Sequence, residues 1–171
     1  TSQTFVLNRG GVSPLEANAM GRTWVIFIEN SNYENFPSLD GPARDVALMR
    51  AALARYDIHK IIHKKDMTKM ELERFISIEL RDLLRTNKVS ALRVWYAGHG
   101  RVIHETGYWI PVDARREDEF THYTLNALRA SLQSYVNYTT HNLVVTDACE
   151  PGPALIQSVK DPSERSCQDL E

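Results

Sequence analysis

Cysteine is scarce in this sequence: Cys149 and Cys167 are the two among 171 residues. So few thiols exclude the dense bridging that holds small secreted domains together. Long apolar runs are missing as well. No stretch approaches the ~20 apolar residues needed to span a bilayer. The opening, Thr1 to Gly11, lacks the basic-then-apolar layout of a signal peptide. These absences place the chain in the cytoplasm with no membrane partner. No initiator Met is present, so the sequence reads as a processed fragment. A basic excess is also lacking. The formal net charge is -2, whereas general nucleic-acid binders carry a surplus of Lys and Arg. No direct nucleic-acid partner is expected, although a local basic face on the helices stays open. There is no internal repeat and no low-complexity tract. Nor does a Gly-x-Gly-x-x-Gly turn follow the first strand, which argues against a nucleotide- or flavin-binding domain.

What is present fits one soluble domain with its own core: 43% hydrophobic and 25% charged residues. Residues 1–22 show no clear periodicity and read as a lead-in segment. Trp24 to Ile28 is a short apolar run, the mark of a strand buried on both faces. A long loop rich in Asn, Ser, Pro and Gly covers Glu29 to Gly41. Asp40 as N-cap and Pro42 near the first helical position then open a helix along Val46, Met49, Arg50 and Leu53. It should stop near Tyr56-Asp57. Ile58 to His63 suggests a second strand. Thr68 with Glu71 has capping-box spacing, and Leu72, Phe75, Ile76, Leu80, Leu83 and Leu84 mark one face of the next helix.

Ala91 to Tyr96 reads as a third strand, ending in a Gly-rich turn at Ala97-Gly98-His99-Gly100. Arg101 to Gly107 fits a small hairpin. Tyr108 to Val112 is extended, with Pro111 placing it at an edge or outside the main sheet. Thr124 to Tyr138 has helical spacing through Leu125, Leu128, Leu132 and Val136. His141 to Thr146 is a fourth strand that leads into Asp147-Ala148-Cys149. Residues 157–171 form a polar linker or processed tail. Such alternation predicts an α/β fold: a mostly parallel sheet with helices on both faces, four main strands and a small hairpin.

Open sheets of this kind bind ligands beyond the carboxyl ends of their strands. Gly98-His99-Gly100 follows the third strand and Asp147-Ala148-Cys149 the fourth. If those strands are neighbours, His99 and Cys149 meet at one crevice. A lone Cys at a strand end is more often a core residue; the His in matching position favours chemistry. A thiolate attacks a carbonyl, and an imidazole protonates the leaving amine. His59 and His63 have metal-ligand spacing but lack a third ligand, so no metal is expected. His104, His122 and His141 read as surface or loop residues. Trp24, Trp95 and Trp109 read as packing residues, and Cys167 as inert.

The pattern resembles the caspase-like clan of cysteine peptidases: caspases, paracaspases, metacaspases and bacterial relatives. In the caspase signature Gln-Ala-Cys, the His lies about fifty residues upstream. Here Asp147-Ala148-Cys149 stands fifty residues after His99. The resemblance covers residues 23–156, read as the catalytic domain. It includes Leu39-Asp40-Gly41-Pro42 with Asp45-Val46, and Gly107 to Asp113. It implies a three-layer αβα sandwich and an endopeptidase. His99 would be the acid–base, Cys149 the nucleophile, and the N–H groups of Gly100 and Cys149 the oxyanion donors. Leu39 stands where Asp-cutting caspases carry an Arg. Metacaspases hold a basic P1 side chain with acidic residues, which correspond to Asp45 and Asp147, bordered by Gly98. Cleavage after Arg or Lys is therefore expected.

Glu150-Pro151-Gly152 departs from the small-Ser-Gly run of relatives. The family's sheet also gains two strands after the Cys, so a second chain or fragment is expected to complete it. A regulatory or sensor module is the other expected partner, besides a protein or peptide substrate. Lys160 and Arg165 are candidate self-cleavage sites. Some relatives need calcium, for which Glu117, Asp118 and Glu119 are the candidate run. The rival reading is an impaired caspase-like scaffold that binds and regulates.

Overall fold

The computed structural model describes the backbone of residues 2–8 and 22–149 and the side chains of residues 22–148, apart from Val136. Glu150-Pro151-Gly152, Lys160, Arg165 and Cys167 lie outside the described residues. In chain order the strands are β1 (Ser2–Asn8), β2 (Thr23–Glu29), β3 (Lys60–Lys65), β4 (Ala91–Ile103), β5 (Thr106–Trp109), β6 (Tyr123–Thr124) and β7 (His141–Cys149). The helices are α1 (Gly41–Leu53), α2 (Lys69–Arg74), α3 (Leu80–Asn87) and α4 (Leu125–Ser134).

The main sheet runs β1-β7-β4-β2-β3. Strands β7, β4, β2 and β3 are mutually parallel, and β1 lies antiparallel on the outer edge of β7. The four expected strands are all present, and β4 and β7 are neighbours. Strand β1 is additional, within the segment read as lead-in.

Every residue of β2 is buried, as its unbroken apolar run requires. Its alternate side chains feed two layers. Val25 and Phe27 meet Val46 of α1, with Met49 and Leu53 against them. Trp24, Ile26 and Ile28 share a larger cluster with Leu72, Phe75, Ile76, Leu80, Leu84, Leu128 and Leu132. Helix α1 thus covers one face, and α2, α3 and α4 the other. Burying each Ile or Leu fully contributes about 1.5–3 kcal/mol.

Two local rules were legible in advance. Thr68 caps α2 by accepting the Glu71 N–H at 3.3 Å, while the Glu71 carboxylate accepts the Thr68 N–H at 2.9 Å. Between α2 and α3 the rod widens into a π-turn at Phe75–Glu79. Leu72, Ile76, Leu80 and Leu84 recur every four residues, a spacing that drifts round a helix of 3.6 residues per turn. One wider turn brings the stripe back to the sheet. The hairpin is present too: Ile103 pairs with Thr106 across His104 and Glu105, both at positive φ.

The expected ends of β4 and β7 need correction. Strand β4 does not stop at Tyr96 in a glycine turn; it continues through Gly98-His99-Gly100 to Ile103. Strand β7 likewise continues through Asp147 to Cys149. Both polar clusters are therefore held in ladder rather than in loops. No helix among the described residues is long and apolar enough to cross a membrane.

Thr68→Ala removes a paired cap and is expected to cost about 1 kcal/mol of unfolding free energy, read from urea denaturation at unchanged m-value.

Candidate active site

The parallel ladder between β4 and β7 pairs Ala97 with Asp147, Gly98 with Ala148, and His99 with Cys149. The fifty residues between them collapse to one rung of a sheet. This close approach depends on glycine. A Cβ on Gly100 would lie 2.7 Å from the Ala148 Cβ, and one on Gly98 would lie 2.6 Å from the Tyr33 hydroxyl and 2.8 Å from that of Tyr96. Neither spacing is tolerated by real side chains.

His99 is buried, and its surroundings come largely from the loop after β2. Its Nε2 lies 2.8 Å from the Pro37 carbonyl. A carbonyl only accepts, so Nε2 carries a proton, and Nδ1 is the basic nitrogen of the neutral ring. Tyr33 packs on the imidazole at 4.6 Å between centroids, and Phe36 at 5.8 Å.

The backbone of His99 is equally occupied. Its N–H donates to the Tyr33 hydroxyl at 2.8 Å, and its carbonyl accepts from the Tyr96 hydroxyl at 2.6 Å. The Tyr96 hydroxyl also lies 3.3 Å from the Ile110 carbonyl. Burial pushes both phenols upward and keeps them neutral. The backbone N–H and C=O of His99 are thus each taken by a buried tyrosine hydroxyl, and satisfied buried polar groups make for a rigid site.

The loop is itself pinned. The Leu39 N–H donates to Ser31 O, and the Glu34 N–H to Val112 O, both at 2.9 Å. Asn30 bridges two elements: its Oδ1 accepts from the Met67 N–H, and its Nδ2 donates to Ile110 O. Leu39 packs on a second apolar cluster of Tyr33, Phe36, Ile110, Val112 and Ala114.

Asp147 lies on the same ladder, half-buried, and Asp45 of α1 acts on it electrostatically. Burial raises the Asp147 carboxyl, and the Asp45 charge raises it further. The two carboxylates are thus near enough to repel each other. Gly98 sits in the same ladder, its α-carbon against the two tyrosine hydroxyls. Of the residues read from the sequence, Gly98, His99, Gly100 and Asp147 lie on these two strands, Cys149 is placed by its backbone, and Asp45 acts on Asp147 from α1.

Other expectations are revised. His122, read as a surface or loop residue, lies in a loop but is 1% exposed. Its Nε2 faces the Arg115 carbonyl at 3.0 Å, and burial lowers its pKa. His63 meets the buried Glu29 carboxylate at 2.6 Å rather than sharing a site with His59. In the acidic run, Asp118 is engaged by Arg115 at 2.6 Å and by the Phe120 N–H at 3.2 Å. Among the described residues, no group of three His, Cys, Asp or Glu is arranged to hold a metal. Sequence reasoning missed Tyr33, Pro37, Tyr96 and the support from Asp66. The only signal was the density of polar residues, Asn30 to Asn32, directly after a buried strand.

A family model described as the caspase domain matches residues 22–169. The chain belongs to the caspase family. That family is one of cysteine peptidases, and the match runs into the segment read as polar tail. No curated protein matches the chain. Within this caspase domain the His–Cys rung lies where the loop after β2 meets the ends of β4 and β7. Strand β3 flanks β2 on one side, and β4 with β7 lies on the other, the switch point at which open sheets place their ligands.

Gly100→Ala is expected to destabilise the domain by about 1–3 kcal/mol through overpacking of the rung. Adding Ala148→Gly should restore most of that loss, as measured by chemical denaturation of both variants.

Proposed function

We propose that this chain is a cysteine endopeptidase that cuts peptide bonds after Arg or Lys. The observation that carries the reading is the pairing of His99 with Cys149 on adjacent parallel strands. The Cys149 thiolate would attack the scissile carbonyl carbon, forming a C–S bond. Collapse of the tetrahedral adduct breaks the C–N bond, and the His99 imidazolium gives its proton to the departing amine. Water then hydrolyses the thioester, with His99 taking its proton. The backbone N–H groups of Gly100 and Cys149 would stabilise the oxyanion.

The substrate preference rests on charge. Asp45 and Asp147, with Gly98 beside them, form an acidic recess suited to a cationic P1 side chain. A guanidinium would be held by bidentate bonds and an ammonium as a point charge. Leu39 supplies no cation for an acidic P1. Asp147 is costly to ionise while the recess is empty, and an incoming cation offsets that cost. Substrates would be proteins or peptides, with activity governed by an attached or partner regulatory module. The segment after Cys149 or a second chain would complete the cleft. No cofactor is required by this chemistry, and the acidic run from Glu117 to Glu119 is at most a weak calcium site. The reading applies in the cytoplasm.

Fluorogenic peptides ending in Arg, Lys or Asp test it. Arg and Lys peptides should be cut, and Cys149→Ala should abolish cleavage. Asp147→Asn should lower kcat/KM for the Arg peptide about tenfold to hundredfold, the worth of one or two charged hydrogen bonds. Because the Asp147 pKa is raised, the recess loses charge as pH falls through that value. The Arg preference should therefore fade at a higher pH than an ordinary carboxylate would give. Preferential cutting after Asp would overturn the specificity. A wild-type protein that binds these peptides without cutting them would favour the regulatory scaffold.

A further inference from the structure

Asp66 ends β3 in the left-handed region, at φ 51, where Asp and Asn settle more readily than other side-chain residues. Its N–H donates to Glu29 O at 2.8 Å, which sets it beside the end of β2. From there its carboxylate reaches the loop that follows. Oδ1 accepts the Ser31 N–H at 2.9 Å and the Asn32 N–H at 3.0 Å, and Oδ2 accepts from Asn32 Nδ2 at 2.8 Å. Burial alone would raise this carboxyl, but these bonds outweigh it and hold it below its ordinary value. The clasp is therefore charged throughout the neutral range.

What it clasps is the stretch that touches His99. Tyr33, whose hydroxyl takes the His99 N–H, follows Asn32 directly. Pro37, whose carbonyl takes Nε2, lies between Tyr33 and Leu39, and the Leu39 N–H returns to Ser31 O. We propose that Asp66 is a positioning residue for His99. Through Ser31 and Asn32 it fixes the loop whose Tyr33 hydroxyl and Pro37 carbonyl orient the imidazole. Its effect on turnover rests on the peptidase reading; its effect on the ring does not.

Asp66→Gly removes the carboxylate while leaving a residue at ease with positive φ. Asp66→Asn keeps one acceptor oxygen but turns an amide towards the Asn32 amide. The double variant Asp66→Asn with Asn32→Asp restores a donor–acceptor pair by exchanging the partners. Two readouts are taken: kcat and KM on the Arg peptide, and the ¹⁵N NMR signal of the His99 Nε2–H. In Asp66→Gly, kcat should fall roughly tenfold to hundredfold, the scale of a misplaced catalytic group. KM should change little, and the Nε2 proton should exchange faster with water. The double variant should recover both readouts relative to Asp66→Asn. A folded Asp66→Gly protein with wild-type kcat and an unchanged ring signal would overturn the proposal. If the wild type cuts no peptide but the ring signal still moves in Asp66→Gly, positioning stands and the peptidase reading falls. If Asp66→Gly does not fold, the single and double variants decide: recovery supports the clasp, and equal loss in both overturns it.

Discussion

Side chains on adjacent strands meet only if the strands lie in the right register and close enough to touch. In this caspase domain both conditions are set by the ladder between β4 and β7. Small residues at Gly98, Gly100 and Ala148 let the two backbones run together to the last rung, where the backbones of His99 and Cys149 pair. A methyl group at Gly100 would collide with Ala148, and one at Gly98 would displace two hydroxyls. The apolar layers that α1 builds on one side and α2, α3 and α4 build on the other hold this sheet in place. The chemistry inherits its geometry from backbone packing.

Orientation of the imidazole is a separate problem, and the loop after β2 solves it. A buried His on a strand has one backbone N–H, one carbonyl and two ring nitrogens to place. Tyr33 and Tyr96 take the first two, and Pro37 takes Nε2. These three partners are uncharged. The charged contribution lies further out, at Asp66, where a carboxylate among three donors secures the loop. The carboxylates of Asp45 and Asp147 repel each other, which raises the Asp147 carboxyl beyond the effect of burial.

Much of this was legible because local rules and tertiary structure agree. The Trp24–Ile28 run is buried on both faces because parallel central strands are, and the Thr68–Glu71 box forms because both of its bonds are local. Misreadings arose where distant contacts overrode local signals. Glycines at positions 98 and 100 read as a turn, yet they serve close strand packing inside a ladder. His122 sits in polar sequence but is buried under Phe36 and Tyr108, which approach from other elements. Strand β1 has no clear periodicity in its sequence, and its ladder partner β7 lies more than 130 residues away.

The sequence by itself determined the alternation of strands and helices, the capping of α2, and the presence of a His and a Cys just past two apolar strand runs. Those features depend on side-chain periodicity and on groups a few residues apart. Tertiary structure alone decided that the two ends share one rung, that Tyr33, Tyr96 and Pro37 orient the ring, and that Asp66 secures them from another strand. Those features depend on strand order and loop closure, which bring together atoms separated by thirty to sixty or more residues, and no local pattern encodes such distances.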